Sequence, residues 1–253
     1  MSVITERELD VVCGPRNVPT VLFTPSTKTG PHPLVLVGHG GGGNKRAPTV
    51  MKMAEGLAAE HGIATLAIDG PVNGDRDTNS EEAWSLRKSD RHAYRRKYYE
   101  EKYDEMVADW RAALDVAAAE SDIEAERVGY WGLSMGTRFG VPLIASEPRI
   151  VAAVIGLFGH QDGNEGSQRV FDDVANIRVP VLFIQQLEDD EVSAKAYDKL
   201  FRNIGTSDRR LHANPGRHAE VPKSELQATR LFLSRKLSRK LARKPSIREG
   251  SAK

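Results

Sequence analysis

The sequence predicts an α/β fold, a mostly parallel central sheet with helices on both faces. Three observations predict it. From residue 33 onward, apolar runs of strand length alternate with stretches of helical periodicity. The runs PLVLVG (33–38), IATLAI (63–68) and PVLFIQ (180–185) are continuous rather than alternating, as in strands covered on both faces. At YWGLSMG (130–136), a β-rich run passes directly into a helical stretch through two glycines that flank a serine. The chain has 253 residues, which suits one large α/β domain.

The elements follow in order. ELDVVC (8–13) and PTVLFT (19–24) are expected to pair as strands at a sheet edge, ahead of the strand at 33–38. Residues 48–61 carry apolar side chains at helical spacing, and Gly62 stands where a C-cap is needed. The strand 63–68 ends at Asp69-Gly70-Pro71. Residues 72–104 are crowded with Arg, Lys, Glu and aromatics, and a helix over 104–119 follows. Strands are expected at 127–131, 150–158, 180–185 and 209–213, and helices at 134–145, 193–203 and 222–243. Residues 1–243 read as one domain, with 72–104 as a roof over the pocket and 244–253 as a frayed basic tail.

Composition narrows the class. The net charge is +1, but residues 235–253 alone carry eight Lys/Arg and one Glu, so the body is mildly acidic. Such a body does not call for nucleic acid. In LFLSRKLSRKLARK (231–244), Leu233, Leu237 and Leu241 recur every four residues. This is read first as a last helix with its apolar side packed, and a membrane surface is the weaker alternative. Cys13 is the one cysteine, so no intrachain disulfide can form. MSVITERELD has no apolar core of a secretory signal, so a cytoplasmic location is expected.

The serine explains its glycines. A strand, G-x-S-x-G and a helix form a nucleophile elbow, in which the turn is too tight for neighbouring side chains. Gly132 and Gly136 leave the space, and Ser134 is displayed at the end of the sheet, where open α/β folds carry their sites. The N-terminus of the next helix favours negative charge there. An acyl-transfer serine needs donors for the oxygen that becomes negative. One is the N–H after the nucleophile, Met135. The other comes from His39-Gly40-Gly41-Gly42-Gly43, with Gly41 favoured and Gly40 as runner-up or substrate contact. His39 is expected to orient this loop. GHGGGGNKR lacks the spacing of a phosphate-binding G-x-x-x-x-G-K-[ST] loop.

The base should follow the last strand. His218, after Asn-Pro-Gly-Arg, is preferred to His212, which lies within the strand. The acid should follow PVLFIQ, where Glu188, Asp189, Asp190 and Glu191 stand in a row. A carboxylate is needed to hold the imidazole in the right tautomer. Asp189, followed by x-x-Val-Ser, is chosen over Asp190, with Asp162 a third candidate.

Together VGHGGGG, AIDGPVNGDR, YWGLSMG, the PVLFIQ-to-Asp189 turn and NPGRH resemble the α/β-hydrolase superfamily over about residues 18–235. Within it, the chain is most similar to dienelactone hydrolase-like, single-domain serine esterases. Dienelactone hydrolases proper use a cysteine nucleophile, and here the position is Ser134. The resemblance therefore implies hydrolysis of an ordinary carboxylic ester, thioester or lactone through an acyl-enzyme, with no metal or organic cofactor. A peptidase or amidase on the same triad, or a non-catalytic binding protein, are the alternatives. In the roof, Arg76 is expected to meet a substrate carboxylate and aromatics such as Trp84 to line the pocket. The expected partner is a small-molecule ester, and a homodimer stays open.

Overall fold

The computed structural model of the chain describes residues 2–76, 80–161 and 165–238. Ten strands and eight α-helices are described: β1 (Ile4–Leu9), β2 (Val12–Cys13), β3 (Arg16–Asn17), β4 (Thr20–Pro25), β5 (His32–Gly38), α1 (Pro48–Gly56), β6 (Ala64–Ile68), α2 (Ser80–Ser89), α3 (Arg91–Tyr98), α4 (Tyr103–Ala118), β7 (Ile123–Leu133), α5 (Met135–Ser146), β8 (Ile150–Gly156), α6 (Glu165–Val174), β9 (Val181–Gln186), α7 (Ala194–Asn203), β10 (Arg209–Asn214) and α8 (Lys223–Leu237).

Eight strands make one sheet in the order β1-β4-β6-β5-β7-β8-β9-β10. From β6 to β10 along the sheet every pairing is parallel, and β4 alone runs against the others, antiparallel to both β1 and β6. The uninterrupted apolar runs have a direct cause. Along β5, Leu34 and Leu36 join one core with α4, α5 and α7, while Val35 and Val37 join a second core with α1 and α8. Side chains alternate across the sheet and helices cover both faces, so residues 34–37 of β5 are apolar on both sides. Gly62 closes the first helical segment in a left-handed conformation, φ 69°, after a single π-helical turn at Leu57–His61.

The N-terminal edge differs from the sequence expectation. The strand that pairs with β4 is Ile4–Leu9, not ELDVVC, with Ile4 opposite Pro25 and Leu9 opposite Thr20. An edge strand is largely exposed, so ITEREL is mostly polar, with Ile4 alone buried, and lacks a continuous apolar run. The more apolar Val12–Cys13 instead pairs with Arg16–Asn17 in a small separate ribbon, where Val12 is exposed. β7 also begins four residues earlier than expected, at Ile123.

The described residues of 72–104 form a short 3-10 turn (Gly74–Arg76), α2, α3 and a second 3-10 turn (Glu100–Lys102). Asp90 caps α3 by accepting from the His92 and Ala93 N–H groups. On α8, Leu233 and Leu237 are buried against β7, as expected for a packed last helix. Asp162, Leu241 and the tail 244–253 lie outside the described residues. Among the described residues, no helix is long and apolar enough to cross a membrane.

The strand-to-helix turn is closely packed. A Cβ on Gly136 would lie 2.6 Å from the Gly38 carbonyl oxygen, and one on Gly132 would lie 2.9 Å from the Gly136 backbone. Tyr130 is buried beneath and donates from its hydroxyl to the Gly136 carbonyl at 2.7 Å. Gly136→Ala should therefore destabilise the fold by roughly 1–3 kcal/mol, because backbone rather than a flexible side chain must move. Gly41, whose Cβ would meet nothing within 4 Å, is the matched control. Urea unfolding of both variants measures the difference, and an unchanged Gly136→Ala midpoint would refute the close approach.

Candidate active site

Ser134 sits between β7 and α5 with φ 57° and ψ −113°, a backbone conformation rare for a residue with a Cβ. Its N–H donates to the Gly156 carbonyl at 2.9 Å, which ties the turn to the neighbouring strand. The side chain points to the imidazole of His218, with Ser134 Oγ 2.9 Å from Nε2. On the other side of the ring, Nδ1 is 2.8 Å from Asp189 Oδ2. Ser134, His218 and Asp189 are thus brought together.

Asp189 is built to stay ionised. Its side chain is only 1 % exposed. Burial opposes its charge, but hydrogen bonds from the Tyr197 hydroxyl, the Glu191 N–H, His218 and the Val192 N–H outweigh burial and hold the carboxyl below its usual value. A carboxylate only accepts, so His218 carries its proton on Nδ1 and leaves Nε2 to accept from Ser134. Burial, then the bond to Asp189, raises the Tyr197 phenol, which therefore remains a donor. Tyr197 escaped the sequence reading, since its only sequence signal is a position one helix beyond Asp189.

This predicts a pH dependence of stability. Asp189 has a lower pKa folded than unfolded, so its contribution is complete above about pH 4, the unfolded carboxylate value. That contribution is lost as pH falls through the lower folded value. Asp189→Asn should be less stable than the wild type at neutral pH, and the gap should close on acidification below about pH 4. Thermal unfolding across that range tests it, and a gap independent of pH would exclude ionisation as the cause.

The loop that carries His218 is pinned to the loop that carries Asp189. Gln186, at the end of β9, donates from Nε2 to the carbonyls of Pro215, Arg217 and Glu220 at 3.3, 3.3 and 3.0 Å. The Glu188 carboxylate accepts the Gly216 N–H. Asp190 pairs with Arg217 at 2.8 Å and accepts from the His218 backbone N–H, so it does not meet the imidazole. His212 bonds Glu225 at 2.8 Å, away from the serine.

At the glycine-rich loop 39–43, the Gly70 N–H donates to His39 Nε2 at 2.8 Å, so the proton of this ring is on Nδ1, which donates to the Gly40 carbonyl at 2.8 Å. Burial lowers the His39 pKa and keeps the ring neutral. The Gly43 N–H donates to the same carbonyl at 3.1 Å. In a trans peptide the N–H opposes the C=O, so anchoring the Gly40 carbonyl turns the Gly41 N–H the other way. A buried Lys45–Asp69 pair, 2.8 Å, fixes the far end of the loop. Met135 opens α5, and the first N–H groups of a helix have no intrahelical partner.

Ser134, His218, Met135, Gly40 and Gly41 all line one cavity of about 520 Å³. The roof reaches it, because Arg87, Arg91, Tyr94, Arg95 and Tyr99 line the same space. Two expected contacts are corrected. Arg76 donates from Nη1 to buried Asp109 at 2.6 Å and is not at the cavity. Asp109 is fully buried and needs cations, and Arg16 supplies the other. Trp84 is 46 % exposed, lies under the Arg87 guanidinium and does not line the cavity. Its helix turns Ala83 and Leu86 toward Tyr94 and Tyr98 instead.

The dienelactone hydrolase family profile matches residues 18–214, more than three quarters of the chain. The chain belongs to the dienelactone hydrolase family. Comparison with curated proteins finds no match. Among solved structures, a cold-adapted esterase from an Arctic intertidal metagenomic library is 32% identical, with a TM-score of 0.79 over 92% of this chain and 94% of that one. A dienelactone hydrolase from Anabaena variabilis is 22% identical, with a TM-score of 0.67 over 92% of this chain and 97% of that one. Est1E of Butyrivibrio proteoclasticus, solved with ferulic acid, is 18% identical, with a TM-score of 0.69 over 91% and 100% of the two chains. At such identities the last two show a common fold. The family match ends before His218, so the imidazole rests on geometry alone.

Proposed function

We propose that this family member, a carboxylic ester hydrolase, cleaves its substrate through an acyl-enzyme on Ser134. The observation that carries the reading is the continuous chain of contacts, 2.9 Å from Ser134 Oγ to His218 Nε2 and 2.8 Å from His218 Nδ1 to Asp189. His218 Nε2 takes the Ser134 proton as Oγ attacks the ester carbonyl. The Met135 and Gly41 N–H groups hold the oxyanion, and Asp189 stabilises the imidazolium. The intermediate collapses, the alcohol leaves with the proton from His218, and Ser134 carries the acyl group. A water then gives its proton to His218 and attacks the acyl carbon, and Ser134 departs with the proton returned.

A fluorophosphonate tests this directly. The wild type should gain the mass of one phosphonyl adduct on the peptide containing Ser134 and lose esterase activity in step with labelling. Labelling at another serine, or full activity after complete labelling, would overturn the assignment.

A further inference from the structure

The cavity beside Ser134 is lined by five cations, Lys52, Arg87, Arg91, Arg95 and Arg138, and by one carboxylate, Glu191. Five against one leaves a net charge of +4 around the reacting serine, apart from His218. Several guanidinium groups elsewhere are paired with carboxylates. Arg7, Arg16, Arg76 and Arg149 each hold a carboxylate at 2.6–2.8 Å. None of the four cavity arginines has such a partner among the described residues.

Arg138 is the firmest part of the cluster. It lies one helical turn beyond Ser134, its N–H bonded to the Ser134 carbonyl at 3.1 Å. It is 7% exposed. Its guanidinium is 5.1 Å from the Tyr99 ring centre and 4.9 Å from that of Phe158, so two aromatic rings hold the plane. Nη1 donates to the Tyr103 hydroxyl at 3.0 Å and to the Gly166 carbonyl at 3.3 Å. All of these partners are neutral. Arg95, on α3, is half-buried beside it. Burial, then repulsion from Arg91 and Arg138, pushes the Arg95 guanidinium down from its usual value. Arginine does not shed its proton, so such a cluster stays charged and is costly without an anion.

We propose that Arg95 and Arg138 form an anion subsite beside Ser134, that Arg87, Arg91 and Lys52 steer the ligand to it, and that the natural ester carries a dianionic group, a phosphate or paired carboxylates. Two inner cations are neutralised by two negative charges, and planar guanidinium groups match the oxygens of either group. The exposed cations at the rim act at longer range and are screened by salt. The expectation that Arg76 would bind an anion is thereby replaced by different residues, contributed by the roof and by α5. The inference deepens the ester hydrolase reading and rests on it.

The test is inhibition of p-nitrophenyl acetate hydrolysis by inorganic phosphate, malonate and acetate at about pH 8, in the wild type, Arg95→Gln, Arg138→Gln and Arg91→Gln. Phosphate or malonate should inhibit competitively at least ten times more tightly than acetate. Arg95→Gln and Arg138→Gln should abolish that preference. Arg91→Gln, a surface change that spares the fold, should weaken it and reduce its salt dependence. Preference for phosphate alone assigns a phosphorylated ester, and preference for malonate alone assigns a dicarboxylate. Equal inhibition by all three anions, or a preference unaltered in every arginine variant, overturns the subsite. Thermal stabilisation of Ser134→Ala by the same anions separates the two readings. Anion binding with turnover retained in that variant would fail the nucleophile and keep the subsite. Turnover lost without anion binding would do the reverse.

Discussion

Ser134→Ala should lower kcat for p-nitrophenyl butyrate by about 10⁴- to 10⁶-fold while the protein remains folded. The size follows from what the hydroxyl does. Its one hydrogen bond among the described residues is with His218 Nε2, at 2.9 Å. In the proposed mechanism, removing Oγ leaves the base with nothing to deprotonate except water, while the proposed oxyanion donors and the cavity persist. Residual catalysis of about 10³-fold over water is therefore expected from those parts alone. Stability should change little, because alanine keeps the Cβ and the backbone bond from residue 134 to the Gly156 carbonyl is untouched. Steady-state rates, read beside a thermal melt of the same sample, decide the matter. Retention of more than about one per cent of wild-type kcat would remove Ser134 from the chemistry, since loss of the nucleophile in such a triad costs far more.

Asp189→Asn should lower kcat by about 10⁴-fold, and Asp190→Asn by less than about threefold. The two residues are chemically alike and adjacent, so the contrast isolates position. The Asp189 carboxylate accepts from His218 Nδ1 at 2.8 Å and from the Tyr197 hydroxyl. An asparagine at this place turns an NH₂ group toward Nδ1, which forces the ring proton to Nε2. Nε2 then donates to Ser134 instead of accepting from it, and the serine keeps its proton. Asp190 is exposed and pairs with Arg217, so its loss leaves the tautomer alone. Comparable losses in the two variants would mean that the acid is shared along the turn. A large loss in Asp190→Asn alone would reverse the assignment.

Much of this site was legible before any coordinates. The elbow could be read because its cause is local, with Gly132 and Gly136 needed where a Cβ would strike backbone. Asp189, His218 and the loop at Gly40 and Gly41 could be read because the fold orders its loops in a regular way along the chain. The roof was legible as an anomaly in composition, but its orientation was not. Spacing puts Arg91 and Arg95 on one face of RHAYRRKY, but nothing in it says that this face, rather than that of Arg96, lines the cavity. Arg76 was misjudged because its buried partner, Asp109, lies 33 residues away on α4.

What the sequence determined by itself has a short physical range. The continuous apolar runs of β5, β6 and β9 declared a sheet covered on both faces, and Gly62 and the glycines about Ser134 declared how the chain turns. These features depend on side-chain periodicity and on backbone sterics within a few residues. Tertiary structure decided which carboxylate of the Glu188–Glu191 run meets an imidazole, and which arginines surround the serine. Ser134 and His218 are 84 residues apart, and Asp189 and His218 are 29 apart. Such pairings depend on the register of parallel strands and on helices packed across the sheet. A choice among chemically similar neighbours is therefore made by distance and burial, which no local pattern encodes.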